Sequence, residues 1–230
     1  MAWLRWNQCR VRVAKSPGRG AAHGRAFLTG SKPMPISQKR SDRAGPRPHK
    51  RSRDPEASRR ALVDAAAKLF NSVGYYGTDT NRIAVAAGYT PGTFYTHFED
   101  KRAIFLEVYR EWVDAEIEAV TAVLKSDEPS KRLRLARVVL EHHRKWKIFR
   151  ASLRALYATD AIVHAARLEQ RRRQIEVALG QKHKAGKQVR AEILATLLTA
   201  EALCDAMADG DVEALDVREA EMFKVLIDSL

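Results

Sequence analysis

GYYGTDTNRIAVAAGYTPGTFYTHFEDK, residues 74–101, reads as two short helices joined by a tight glycine turn. Gly74 closes a preceding helix. The next helix starts near Thr78–Thr80 and ends at Gly88, and a third starts at Thr90-Pro91 and ends by Phe98. Ile83, Ala84 and Ala87 pack the first of this pair inward, and Phe94 and Phe98 anchor the second from the same side. Thr90, Pro91, Gly92, Thr93, Tyr95, Thr96 and His97 are left near the exposed N-terminal end and outer face of the third helix. These are helix-turn-helix proportions, in which the second helix enters the major groove N-terminus first. Its free amides favour a nearby phosphate. Thr93 offers a hydroxyl to a base edge or a methyl to thymine. Tyr95 and His97 have the reach for phosphates or bases, Gly92 permits close backbone approach, and Lys101 suits a phosphate that fixes register without reading sequence.

Working outward, every other element also reads as a helix. Asp54-Pro55-Glu56 starts the first: a capping aspartate, a proline suited to the first helical position, and an acid that complements the dipole. The fourth follows Asp100 and runs to about Lys125, with Ile104, Val108, Trp112, Ala115, Ala119 and Val123 in one line. Helices 5 to 9 cover about 130–147, 149–157, 160–182, 188–208 and 216–229. No strand-like alternation appears, so the expected fold is all-α, with about nine helices.

Composition narrows the reading. The net charge is +13, but residues 1–53 carry fourteen Lys and Arg against the single acid Asp42. Residues 54–230 hold twenty-seven of the forty-one bases and twenty-seven of the twenty-eight acids, which cancel. The basic excess therefore belongs to a tail, expected to be disordered and solvated, or to be upstream sequence ahead of Met34. Two distant cysteines, Cys9 and Cys204, make a disulfide framework or zinc site improbable and fit a reducing cytoplasm. No apolar run is long enough for a transmembrane helix. There is no glycine-rich phosphate loop, nucleophile elbow or metal-spaced cluster, so neither an enzyme nor a cofactor is expected.

Together, Gly74, Thr80, Ile83-Ala84, Ala87-Gly88, Thr93-Phe94-Tyr95, His97-Phe98 and Lys101 resemble the N-terminal DNA-binding domain of TetR/AcrR family regulators, over residues 57–117. The resemblance implies a three-helix DNA-binding head and a C-terminal helical effector-binding and dimerisation domain. The expected divisions are 1–53, 54–117 and 118–230. DNA contacts carry over to Thr80, Asn81 and Arg82 at the start of helix 2, to Pro91, Gly92, Thr93, Tyr95, Thr96 and His97, and to the phosphate lysine Lys101. One departure matters. Thr90-Pro91 stands where the family often has Ser or Glu followed by Lys or Gln. That removes an amide and a long polar side chain from the tip, and shifts base contacts toward Asn81, Arg82 and Thr93.

The C-terminal part is read from its residues. Val189, Ile193, Leu197, Ala200, Cys204 and Met207 share one face of helix 8, and Val217, Ala220, Phe223, Ile227 and Leu230 one face of helix 9. These faces suit an isologous four-helix dimer interface, or packing within the monomer. On helix 7 the stripe Ala161, Ala165, Leu168, Ile175 and Leu179 passes through Arg172, which needs Glu116, Glu141 or an anionic effector if buried, and no partner if exposed at an edge. The expected effector pocket is Tyr109, Trp112, His142, Trp146, Leu153, Tyr157 and Arg172, with His142 alternatively a hydrogen-bonded core histidine. The resulting expectation is a cytoplasmic, ligand-responsive repressor that binds a palindromic operator as a homodimer and pivots around Glu99–Lys101. The alternatives are an activator of the same fold, or a helical interaction protein with a vestigial head.

Overall fold

The computed structural model describes residues 54–127, 129–180 and 186–230. The tail read over 1–53 and the expected end of helix 7 at Lys182 lie outside these residues. Among them are ten helices and no strand: α1 (Pro55–Val73), α2 (Thr80–Ala87), α3 (Pro91–Tyr95), α4 (Lys101–Lys125), α5 (Lys131–Lys145), α6 (Lys147–Tyr157), α7 (Ala161–Leu179), α8 (Lys187–Asp209), α9 (Asp211–Ala214) and α10 (Glu219–Ser229). The addition to the expected nine is α9, a single turn in the gap between the expected helices over 188–208 and 216–229. Gly210, at φ 81°, ends α8, and Asp211 and Glu213 supply acids at the start of the new turn.

Four aspartates set the helix starts. Asp54, Asp79, Asp100 and Asp160 accept from the backbone N–H of Glu56, Arg82, Ala103 and Ile162 at 3.0, 2.9, 2.7 and 2.9 Å. Two glycines make the helix-turn-helix connections possible. Gly88 ends α2 in the left-handed region, at φ 80°. At Gly77 a Cβ would stand 2.3 Å from the Val73 carbonyl oxygen, so the α1–α2 loop closes only around glycine.

Two apolar cores follow. The first joins Leu62, Phe70, Ile83, Phe94, Ile104 and Phe105 with Phe149 and Leu153 of α6. Its centre is aromatic: Phe105 meets Phe70 edge-on at 5.1 Å and Phe149 at 4.9 Å between centroids. The head expected over 54–117 thus shares its core with α6. The second core is built from Ala136 and Leu140 of α5, Ala200, Cys204 and Met207 of α8, Val212 of α9 and Leu226 of α10. Burial pushes the Cys204 thiol up to about 12, as suits a packing group.

Two faces differ from their reading. In α8, Ala200, Cys204 and Met207 pack inside the monomer, and Val217, Phe223, Ile227 and Leu230 pack against the same core. These residues are thus used within the monomer, while Val189 and Ala220 of the same two faces are exposed. The sides of α8 and α10 left outside carry Ala195, Leu198 and Ala202, and Lys224 and Val225. In α7 the apolar stripe is buried only toward its C-terminal end. Ala161, Ala165, Leu168 and Arg172 are exposed, Ile175 is half-buried and Leu179 is buried, while Val163, Arg167, Gln170 and Arg171 turn inward. The inward face of α7 is charged because its partner on α8 is the carboxylate of Glu201. Apolar periodicity therefore selects the wrong side over the N-terminal part of α7. Arg172 lies at the exposed edge and pairs with Glu169, one turn back, at 2.9 Å.

Candidate nucleic-acid interface and effector cavity

The short helix α3 is held by what it buries. Phe94 is fully buried and Phe98 nearly so, with Arg59 stacked 5.2 Å over the Phe98 ring. Rotation about these anchors leaves Pro91, Gly92, Tyr95 and Thr96 exposed and Thr93 half-exposed. Tyr95 is 59% exposed, and its hydroxyl lies 3.0 Å from Thr80 Oγ1 at the start of α2. One hydrogen bond thus couples the two helices at the outer edge. Thr90 Oγ1 meets Thr93 Oγ1 at 3.2 Å, and Thr96 Oγ1 donates to the Thr93 carbonyl at 2.7 Å. Asn81 and Arg82 are exposed beside them, with the Arg82 guanidinium donating to the Gly77 carbonyl.

Two of the expected DNA-contact residues face elsewhere. His97 turns toward α1, its Nε2 2.7 Å from Ser58 Oγ, and is half-buried away from the outer face of α3. The Lys101 ammonium donates to the carbonyls of Tyr75 and Thr78 at 3.0 and 2.9 Å and sits 4.1 Å over the Tyr75 ring. Partial burial lowers its pKa, with Asp79 opposing. Lys101 therefore clamps the α1–α2 loop to the start of α4 and retains one N–H beyond those two bonds. Arg102, its neighbour, pairs with Asp160 at the start of α7 at 3.3 Å. The junction Glu99–Lys101, read as a pivot, is tied on both sides.

The body holds a cavity of about 390 Å³ between α4, α5, α7 and α8. Of the seven expected pocket residues, Tyr109 and Trp112 line it. The other five do not. His142 stacks on the Trp112 ring at 4.7 Å, and its Nε2 lies 3.1 Å from the Trp112 carbonyl oxygen, a hydrogen-bonded core position. Burial pushes its pKa down, against the pull of Glu116. Trp146 meets Phe149 edge-on, Leu153 is in the first core, Tyr157 lies 4.3 Å beneath Arg167, and Arg172 is outside. The cause is the turn of α7 and a one-residue phase shift in α5, which buries His143 instead of its neighbour.

The residues that the sequence did not disclose are charged. Arg150 of α6, 2% exposed, donates through Nε and Nη2 to the two carboxylate oxygens of Asp205 at 2.6 and 2.7 Å, and through Nη2 to Glu201 at 2.8 Å. Arg167 meets Glu201 with two N–H groups at 3.1 and 2.9 Å, and Arg171 adds another. Burial alone would raise the Glu201 pKa, but Arg167, Arg150 and Arg171 hold it at about 2. Burial likewise opposes ionisation of Asp205, and Arg150 with His143 holds it well below the usual carboxylate range. His143 bridges α4 and α8, with Nδ1 3.0 Å from Asp205 and Nε2 3.6 Å from Glu116. Gln174 donates to Glu116 at 2.8 Å. The signal available in the sequence was arginine and glutamate at helical spacing, which reads equally as a solvated face. Among the described residues no group of His, Cys, Asp and Glu is placed to hold a metal ion, and no helix is long and apolar enough to cross a membrane.

Two walls of the cavity are continuous with elements that hold the head. Tyr109, Trp112 and Glu116 belong to α4, whose first residue is the clamp Lys101. Arg150 belongs to α6, on which Ser152 Oγ accepts from the Tyr75 backbone N–H at 3.0 Å. Asn71 of α1 donates to the Lys145 carbonyl at 2.6 Å and accepts from the Phe149 N–H at 3.3 Å.

Residues 62–108 match the family model for bacterial regulatory proteins of the tetR family. The chain is 31% identical over 93 residues to the HTH-type transcriptional regulator AcrR of Shigella flexneri, covering 40% of this chain and 43% of that protein. It is 30% identical over 81 residues to the fatty acid metabolism regulator protein of Bacillus subtilis, covering 35% and 41%. The matched segment spans about two-fifths of the length of these relatives. Among solved structures, a Rhodococcus sp. protein assigned to the TetR family superposes with a TM-score of 0.58 at 14% identity, over 76% of this chain and 96% of that one. The fatty acid degradation regulator FadR of Bacillus halodurans superposes at 0.55 and 16%, over 74% and 94%. At these identities the superpositions establish the fold.

Proposed function

We propose that the chain is a DNA-binding transcriptional regulator of the TetR family: a cytoplasmic, ligand-responsive repressor that binds a palindromic operator as a homodimer. The observation that carries it is the outer face of α3, where Tyr95 stands exposed and is tied to Thr80 while Phe94 and Phe98 fix the helix from behind. That arrangement offers hydroxyls and an aromatic ring to a groove on a rigid support. Tyr95, Thr93, Thr96, Gly92, Pro91 and Thr90 supply the helix contacts. Thr80, Asn81 and Arg82 supply those from the start of α2. Lys101 gives its remaining N–H to a phosphate while holding the loop, and His97 supports α3 through Ser58.

Dimerisation is assigned to the outer sides of α8 and α10, where Leu198 and Val225 are exposed large apolar residues. The cavity is assigned to the effector. Occupancy biases a two-state dimer by moving α4 and α6, which carry the Lys101 clamp and the Ser152 contact, and so changes the spacing of the two heads.

Selection of bound duplexes from random DNA, followed by sequencing, tests the reading. It predicts recovery of one two-fold-symmetric site, with half-sites one helical turn or a multiple apart, about 10 base pairs. Recovery of unrelated sequences with equal affinity contradicts it.

A further inference from the structure

The chemistry of the effector follows from the two unlike ends of the cavity, on the reading that the cavity is the effector site. One end is apolar, walled by Ile117, Val120, Leu135, Val139, Ile193 and Leu197. It leads to the surface near Leu124 and Val189, which are 46% and 40% exposed. The other end is enclosed and carries Arg150, Arg167 and Arg171, with side chains 3%, 16% and 13% exposed.

Hydrogen-bond capacity decides the sign of the ligand. Both oxygens of Glu201 already accept: Oε1 from Arg150 and Arg167, Oε2 from Arg167 and Arg171. Glu116 is engaged by Gln174 and faces His143, and Glu192 accepts from Gln188. Glu201, the carboxylate at the enclosed end, is therefore occupied on both oxygens. The guanidiniums are not, since each has five N–H donors. Among the described residues Arg171 gives Glu201 one nitrogen, Nη2, and Arg150 leaves Nη1 without a hydrogen bond. Spare donors at the enclosed end, beside a hydrocarbon wall, call for a small anionic head on an apolar tail.

We infer that the effector is an amphipathic carboxylate that enters acid-first, its carboxyl group received by the N–H donors of Arg171 and Arg150 that Glu201 and Asp205 leave unused and its hydrocarbon tail lying along Val120, Val139 and Ile193 toward the mouth.

Calorimetric titration of the full chain with decanoate, decanol and decyltrimethylammonium tests this, beside operator binding measured on the same preparation. Decanoate is expected to bind at least about tenfold more tightly than the other two. Affinity should rise about fourfold per methylene from hexanoate until the tail fills the cavity. Arg171→Gln should erase the preference for acid over alcohol while decanol affinity holds. Ile193→Trp, which fills the apolar end, should weaken acid and alcohol alike, and thermal melts establish that both variants fold. Tighter binding of the cation, equal binding of acid and alcohol, or no binding of decanoate while the operator is still bound overturns the inference and leaves the regulator standing. Absence of a specific operator overturns the regulator itself, whatever decanoate does.

Discussion

The head and the cavity handle charge in opposite ways. On the outer edge of α2 and α3 the side chains offered are hydroxyls, an amide, an aromatic ring and few cations, and Arg82 and Lys101 spend donors on backbone carbonyls. At the enclosed end of the cavity, Arg150, Arg167 and Arg171 meet Glu201 and Asp205 largely away from solvent, and Arg154 with Asp209 extends the network to its half-exposed edge. The head keeps its shape by apolar burial and leaves its polar groups to a partner. The body keeps its shape partly by ion pairs that fill the oxygens of Glu201 and Asp205 and leave guanidinium donors over. Loss of one side chain should therefore have different consequences in the two regions.

The largest effect is expected inside the head. Phe94→Ala empties a fully buried aromatic site and should cost about 3–5 kcal/mol of stability in denaturant titration. A cost below about 1 kcal/mol would mean α3 is not anchored by this ring. In the body, Arg150→Met leaves Asp205 and Glu201 short of a partner and should cost about 3 kcal/mol, toward the lower end of broken buried pairs, because Arg154, Arg167 and Arg171 remain. A neutral outcome would make the network decorative and the comparison false.

Acid titration separates the regions without a mutation. The Glu201 carboxyl is held at about 2, below its ordinary 4.5. A depressed carboxylate contributes stability that is complete above the unfolded value and disappears as pH falls through the folded one. Melting temperature should thus drop steeply between about pH 4.5 and 2, and Glu201→Gln should flatten that drop. An unchanged profile in the variant would remove Glu201 from the account. The smallest effect is expected on the outside of α7, where Arg172→Ala should change stability by no more than about 0.5 kcal/mol.

The same contrast explains what the sequence disclosed. The helix-turn-helix was legible because its buried residues, Ile83, Ala84, Phe94 and Phe98, are apolar at helical spacing and its ends are marked by Asp79, Gly88, Thr90-Pro91 and Asp100. The cavity was mostly illegible because α7 buries Arg167 and Arg171 and exposes Leu168. Apolar patterning reports which face avoids water, and it fails where a helix is turned by charges that neutralise each other. His142 and His143 show the limit on a finer scale: adjacent residues on α5, one stacked behind Trp112 and the other bridging Glu116 and Asp205. A sequence phase error of one residue exchanges their roles.

The most direct test is the affinity of wild type and the Thr93→Ala/Tyr95→Ala double variant for the selected operator, by fluorescence anisotropy at one fixed salt concentration. The account predicts a loss of about tenfold or more, on the order of 1–3 kcal/mol for each lost base contact, with the variant still folding cooperatively and its melting temperature lowered only by the loss of the Thr80–Tyr95 and Thr90–Thr93 hydrogen bonds. Unchanged affinity in a folded double variant would contradict the claim that the outer face of α3 reads DNA.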